Sequence, residues 1–216
     1  KLVVATSPDF PPFESLEGGE VVGIEVDILK KVAEKMGMEL DLQQMDFDSV
    51  IPGVQAGKFD VGMSGITVTD KRKENVDFSS VYFMAAQAIV VTDSGITGKA
   101  DLEGKKVSVQ TGTTAEEYCM GNGYEVLAFI ANNDAAAALT AGKVDAWVVD
   151  NEVALAMAPE LGLTVLDEAM TSEPYAFAFQ KGSELVAPFN EALDALLADG
   201  TVEQIFQQYG VTYIAP

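Results

Sequence analysis

The sequence predicts an α/β protein of two similarly built lobes, each a mixed, mostly parallel sheet flanked by helices, joined by two crossing strands. Three observations carry that expectation. Short apolar runs alternate with segments whose apolar residues recur at helical spacing. A helix-to-strand unit occurs twice, as AGKFDVGMSG from Ala56 and as AGKVDAWVVD from Ala141. Repeated α/β lobes produce such an echo, although AGK at a helix end also arises by chance. Two long apolar segments, VYFMAAQAIVVTD (81–93) and EPYAFAFQKG (173–182), are suited to leaving one lobe and entering the other.

The elements follow in order. KLVVATS is an apolar run closed by polar residues and reads as a buried strand, feeding a Pro- and Gly-rich loop, PDFPPFESLEGGE. From Gly23 the period changes: Ile24, Ile28, Leu29, Val32 and Met36 fall at helical spacing, and Gly37 sits where a C-terminal cap belongs. MELDLQQM reads as a strand, a short helix begins at Asp48, and FDVGMSG is a buried strand. Past the first crossing segment, KVSVQ is a strand, Gly112 turns the chain, and Thr113 and Thr114 open a helix with Glu116 and Glu117 in its first turn. DAWVVD is a strand that ends on Asp150, ahead of the helical NEVALAMA. Finally Val186, Phe189, Leu193, Leu196 and Leu197 make an amphipathic helix ended by Gly200, with a second short helix to Tyr209. Residues 1–90 plus 178–216 are expected to form a discontinuous first lobe, and 91–177 an inserted second one.

At 216 residues with 48% hydrophobic content, the chain has the length and composition of an ordinary globular protein. Its formal net charge of -21 argues against nucleic acid, whose phosphates call for clustered Lys and Arg, and against an anionic bilayer surface. Most of that charge reads as a solvated face. No apolar run reaches the roughly 18 residues of a membrane span. KLVVATSPDF lacks a basic region followed by a long apolar one, so a secreted form would have this chain as its mature part. Cys119 is the only cysteine, which rules out an intrachain disulfide, and being internal it is not itself a lipid-bearing N-terminal cysteine. The lack of histidine removes His-based triads, the usual transition-metal sites and imidazole acid-base catalysis. Neither a metal nor a cofactor is expected, and no catalytic residue is assigned.

Arg72 is the only arginine in the chain. A guanidinium offers a planar fork of donors matched to a carboxylate, which lysine does not imitate. Arg72 is therefore either a carboxylate-recognition residue or an incidental surface cation beside Lys71 and Lys73. Context favours the first reading. The strand FDVGM delivers SGIT to a strand's carboxyl end, where open α/β sheets bind ligands. Gly65 allows close approach, Thr67 supplies a hydroxyl, and Thr69 and Asp70 are N-cap candidates for a helix that carries Arg72 in its first turn. Thr113 and Thr114 belong either to an ordinary capped joint or to a second anion-friendly turn. Asp150 is a helix N-cap, the counter-charge of a ligand ammonium, or both. Phe10 and Phe47, in loops after strands, either pack in the core or wall a pocket.

SPDFPPFE, GIEVDILKKVAEKMG, SGITVTDKRKENVDFSSVYF, VSVQTGTTAEEY and VDAWVVDNEVA, in that order and spacing, resemble the extracytoplasmic amino-acid-binding proteins of ABC importers. These form the solute-binding protein family 3 group, with glutamine-, histidine- and lysine/arginine/ornithine-binding members. The resemblance covers essentially the whole chain. It implies a two-lobed periplasmic-binding-protein-like fold that closes by a hinge on an L-amino acid and delivers it to a membrane permease. It further implies that Arg72 binds the ligand carboxylate, with contacts from Gly65 and Thr67, that Thr113 and Thr114 contribute from the second lobe, that Asp150 binds the ammonium, and that Phe10 and Phe47 are aromatic walls. Several members have Asp where this chain has Ser7, which leaves Asp9, Glu14 and Gln87 to contact the ligand side chain. A polar or cationic amino acid is expected, bound by a monomer outside the cytoplasm, in a periplasm or on a cell surface as a lipoprotein. Two other functions are open on this fold. One is a cyclohexadienyl dehydratase acting on prephenate or arogenate, with Glu173 as its acid; the other is the amino-acid-sensing domain of a receptor.

Overall fold

The computed structural model describes residues 1–93 and 95–216. The chain divides into two compact units, Lys1–Met84 with Pro174–Pro216, and Ala85–Glu173. It runs through β1 (Leu2–Thr6), β2 (Asp9–Phe10), β3 (Glu14–Glu17), β4 (Glu20–Val22), α1 (Ile24–Met36), β5 (Leu40–Gln44), α2 (Phe47–Gln55), β6 (Val61–Gly62), α3 (Asp70–Lys73), β7 (Val76–Phe78) and β8 (Phe83–Ala85). There follow β9 (Gln87–Val91), β10 (Lys106–Gln110), α4 (Thr114–Gly121), β11 (Glu125–Phe129), α5 (Asn132–Thr140), β12 (Ala146–Asp150), α6 (Asn151–Leu161) and β13 (Thr164–Val165). The chain closes with β14 (Glu173–Tyr175), β15 (Ala178–Gln180), α7 (Val186–Ala198) and α8 (Thr201–Gln208).

Each unit holds a five-stranded sheet, in the order β5-β1-β6-β15-β7 in the first and β11-β10-β12-β9-β13 in the second. In the first sheet β1 is parallel to β5 and β6, while β15 runs against β6 and β7. In the second β10 is parallel to β11 and β12, while β9 runs against β12 and β13. The two sheets thus share one topology, with a single reversed strand in the same place. The repeated sequence unit explains part of the likeness. Asp60 accepts the Val3 N–H at 2.8 Å and returns its own N–H to the Val3 carbonyl at 2.8 Å. Asp145 does the same with Lys106, at 2.9 and 2.8 Å. In both units this aspartate ties the helix-to-strand turn to the start of the neighbouring strand.

The segment PDFPPFESLEGGE, expected as a loop, folds into an antiparallel three-stranded sheet, β2-β3-β4. Glu17 pairs with Glu20 across Gly18–Gly19, a two-residue hairpin connection. Each expected crossing strand also breaks in two. At Ala86 the carbonyl accepts from the Asn151 N–H at 2.7 Å and the N–H donates to Asn151 Oδ1 at 3.1 Å, so side-chain capping replaces a ladder partner there. At Ala176 and Phe177 the N–H groups go to the Ile66 carbonyl and the Ser79 hydroxyl instead. β8 and β14 pair in a separate two-stranded sheet.

The amphipathic α1 forms as its spacing requires, burying Ile24, Ile28, Leu29 and Val32. It ends where Met38 N–H turns back to the Ala33 carbonyl at 2.9 Å. An aromatic cluster fills the first unit's core. Phe13 meets Tyr175 edge-on at 5.1 Å, Phe83 stacks on Phe206 at 4.5 Å, and Tyr82 stacks on Phe177 at 4.8 Å. The second unit's core gathers Ile89, Val91, Leu102, Val107, Val109 and Val148 on its sheet.

Candidate functional site

In the first unit the candidate residues converge on the segment after β6. Val61, Met63 and Ile66 are apolar and fully buried, so they anchor this segment and leave its intervening polar atoms to find partners. The Ser64 hydroxyl accepts the Ser7 N–H at 3.0 Å and donates to Glu14 Oε1 at 3.0 Å. Gly65 has a φ of 53°, and a Cβ there would stand 2.5 Å from the Phe10 ring, so only glycine lets Phe10 lie on this backbone. The Gly65 N–H donates to Glu25 Oε2 at 2.9 Å. That amide is turned inward, so a backbone contact of Gly65 with a ligand would fall to its carbonyl.

Thr67 bridges to Tyr175 and offers its carbonyl to Arg72 Nη1 at 2.9 Å. Thr69 caps α3 by accepting the Arg72 N–H at 3.1 Å, which fixes the backbone that bears the guanidinium. The Arg72 guanidinium carbon lies 5.8 Å from the centre of the Phe47 ring, within cation–π range. Phe47 is half-buried. Ser7 is buried, and its hydroxyl donates to Asp9 Oδ1 at 3.1 Å. Glu14, one of the acids expected to contact a ligand side chain, is instead fully buried among Ser64 and Glu25. Asp9 remains as the partly exposed acid beside Phe10.

In the second unit the candidates gather where β10 and β12 end. Gln87 and Asp150 are register partners on antiparallel β9 and β12, so their side chains share one face of the sheet. Gln87 is fully buried; its Nε2 donates to Thr114 Oγ1 at 2.9 Å, and that hydroxyl donates to Glu173 Oε2 at 3.0 Å. Asp150 occupies the N-cap position of α6 and makes no side-chain capping bond there. Thr113 behaves otherwise. It accepts the Glu116 N–H at 3.1 Å and gives its hydroxyl proton to the Gln110 carbonyl at 2.7 Å, while Glu116 accepts the Gly112 N–H at 2.7 Å. The Thr113 side chain is therefore a helix cap, and Thr114 is the threonine that joins the polar cluster.

Sequence reasoning missed Ser64, Glu25 and Tyr82. For Glu25 a signal existed: it falls in register with Ile28, Leu29 and Val32 on the apolar stripe of α1. Burial pushes the Cys119 thiol up to about 12, the state of an inert core cysteine. Among the described residues no group of His, Cys, Asp and Glu is arranged to hold a metal ion, and no helix is long and apolar enough to cross a membrane.

Two α/β units of one topology, each with polar side chains fixed at its strand ends, define the class of two-lobed solute-binding proteins. The sequence pattern of the bacterial extracellular solute-binding proteins, family 3, matches residues 2–212, and the chain belongs to that family. The arginine-binding extracellular protein ArtP of Bacillus subtilis (strain 168) is 35% identical over 218 residues, covering 97% of this chain and 86% of ArtP. An ancestral arginine-binding protein bound to arginine superposes with a TM-score of 0.89 at 41% identity, covering 96% of this chain and 97% of that one. An ancestral arginine-binding protein bound to glutamine gives a TM-score of 0.90 at 42% identity, covering 96% of each chain.

Proposed function

We propose that this protein binds a free L-amino acid outside the cytoplasm and delivers it to the permease of an ABC importer. One observation carries the reading: the only guanidinium of the chain is held at a strand end by the Thr67 carbonyl, the Phe47 ring and a capped helix turn. A guanidinium held on this edge and beside this ring presents the planar donor geometry that matches an α-carboxylate. Thr67 completes that end. Asp150, Gln87 and Thr114 form the second set, in which Asp150 takes the α-ammonium. Phe10 walls the ligand stem, with Ser7 and Asp9 at its side-chain end. Relatives named for arginine binding, and a glutamine-bound neighbour, support a polar or cationic side chain. They are named for binding, which supports a transport component over an enzyme.

Replacing Asp150 by asparagine keeps the shape and removes the charge. Its expected effect is a loss of affinity of about tenfold or more, the scale of one hydrogen bond to a charged group. Isothermal titration of ligand-free protein with L-arginine and with L-glutamine measures it, and unchanged affinity for both would remove Asp150 from the site. Asp9→Asn is expected to act selectively, weakening L-arginine and L-lysine while leaving L-glutamine within about twofold. Equal losses on all three would mean that Asp9 only supports Ser7.

A further inference from the structure

Two carboxyl groups beneath the Ser64–Thr67 segment have no part in the contacts assigned above. Glu14 opens β3 and Glu25 lies in the first turn of α1, and both are fully buried. Glu25 receives two donors: the Gly65 N–H on Oε2 at 2.9 Å, and the Tyr82 hydroxyl on Oε1. Glu14 receives the Ser64 hydroxyl on Oε1, while its Oε2 is buried with no donor turned toward it. The Glu25 carboxyl lies alongside Glu14 within hydrogen-bonding reach. Asp9 on β2 is the other charged group acting on Glu14, with Tyr82 nearby, and none of these is a cation.

Two touching carboxyls without a cation do not both ionise in a buried site. Each oxygen of Glu25 already receives a donor, whereas Oε2 of Glu14 is buried without one, so the proton of the pair belongs on Glu14. We propose that Glu14, Glu25 and Tyr82 are positioning residues for binding: with one proton held between the two acids, they fix Ser64 and Gly65 and, through Thr67, the guanidinium of Arg72. The proposal rests on the binding function above. Burial, and then the charge of Glu25, push the Glu14 carboxyl well above its ordinary range, and the same causes raise the Tyr82 hydroxyl.

The test compares wild type with Glu14→Gln, Glu14→Ala and Tyr82→Phe, using titration with L-arginine and urea unfolding at several pH values between about 5 and 8. Glutamine reproduces a protonated Glu14, accepting from Ser64 and donating to Glu25, so Glu14→Gln is expected to bind within about twofold of wild type. Native wild type keeps a proton that the unfolded chain sheds above its ordinary carboxyl pKa of about 4.5, so its stability falls as pH rises. The folding constant of Glu14→Gln relative to wild type should therefore climb about tenfold per pH unit above that value, until the native pKa is passed.

Glu14→Ala should weaken binding by about fivefold or more, a loss that glutamine rescues. Tyr82→Phe keeps the ring stacked on Phe177 and removes one donor from Glu25, and should weaken binding about two- to tenfold well below its melting temperature. A purely structural role would lower stability and leave the dissociation constant unchanged. A folding-constant ratio that is flat with pH would overturn the shared proton. Unchanged affinity in Tyr82→Phe together with Glu14→Ala would overturn the positioning role, and if Glu14→Ala does not fold, unchanged affinity in Tyr82→Phe does so alone. Failure of wild type to bind any amino acid would instead overturn the binding function, because the pH-dependent ratio reads the proton without a ligand.

Discussion

Arg72→Lys is expected to weaken amino-acid binding by about 1.5 to 3 kcal/mol, roughly ten- to a hundred-and-fifty-fold, while leaving the ligand-free protein nearly as stable as wild type. The guanidinium donates Nη1 to the Thr67 carbonyl at 2.9 Å and lies 5.8 Å from the centre of the Phe47 ring, so its plane is held from two sides. An ammonium is a point charge without a plane, so a lysine that satisfies Thr67 has no fixed second edge to offer a carboxylate. Arg72 is half-buried on a helix of four residues, and its packing contribution is small. Calorimetric titration of protein stripped of carried-over ligand by unfolding and refolding checks the affinity. Thermal melting of the same samples checks that the fold is intact.

Gly23→Ala is expected to have the largest effect on stability, about 4 kcal/mol or more, and so to remove much of a typical domain's margin. Gly23 joins β4 to α1 with φ of 139° and ψ of -179°, a region that side-chain-bearing residues rarely enter. A Cβ there would stand 2.2 Å from the Phe13 carbonyl oxygen and 2.9 Å from the Glu14 nitrogen. Both are backbone atoms, and the Phe13 oxygen already receives the Glu25 N–H at 3.1 Å. Relief would therefore displace the strand that carries Glu14, the helix that carries Glu25, or both. Urea unfolding gives the magnitude, and a loss under about 1 kcal/mol would show that the β2-β3-β4 sheet moves freely against α1.

The parts of the fold that were legible in the sequence are those written in local spacing. The apolar stripe of α1, the threonine caps of α3 and α4, and the repeated Asp60 and Asp145 units each depend on residues a few positions apart. Arg72 stood out because composition isolated it and a strand end gave it a place. What stayed hidden depends on distant partners. The break at Ala86 is made by Asn151, 65 positions on, and the burial of Glu25 depends on Tyr82, 57 positions on. The strands ESLE and EVV are short, charged and largely exposed, so they carry no apolar alternation to set them apart from a loop. Thr113 and Thr114 look alike in sequence, and only the direction of their hydroxyls, toward Gln110 in one and Glu173 in the other, separates a helix cap from a member of the buried polar cluster.

The most direct test of the central claim is a pair of titrations on ligand-free protein, one with L-arginine and one with agmatine, which keeps the guanidinium and ammonium ends but lacks the α-carboxylate. If Arg72 grips that carboxylate, agmatine binds wild type at least about tenfold more weakly than L-arginine, and Arg72→Lys narrows the gap because it removes the contact that agmatine never made. Agmatine binding as tightly as L-arginine, or Arg72→Lys weakening both ligands equally, would contradict the assignment of Arg72 to the ligand carboxylate.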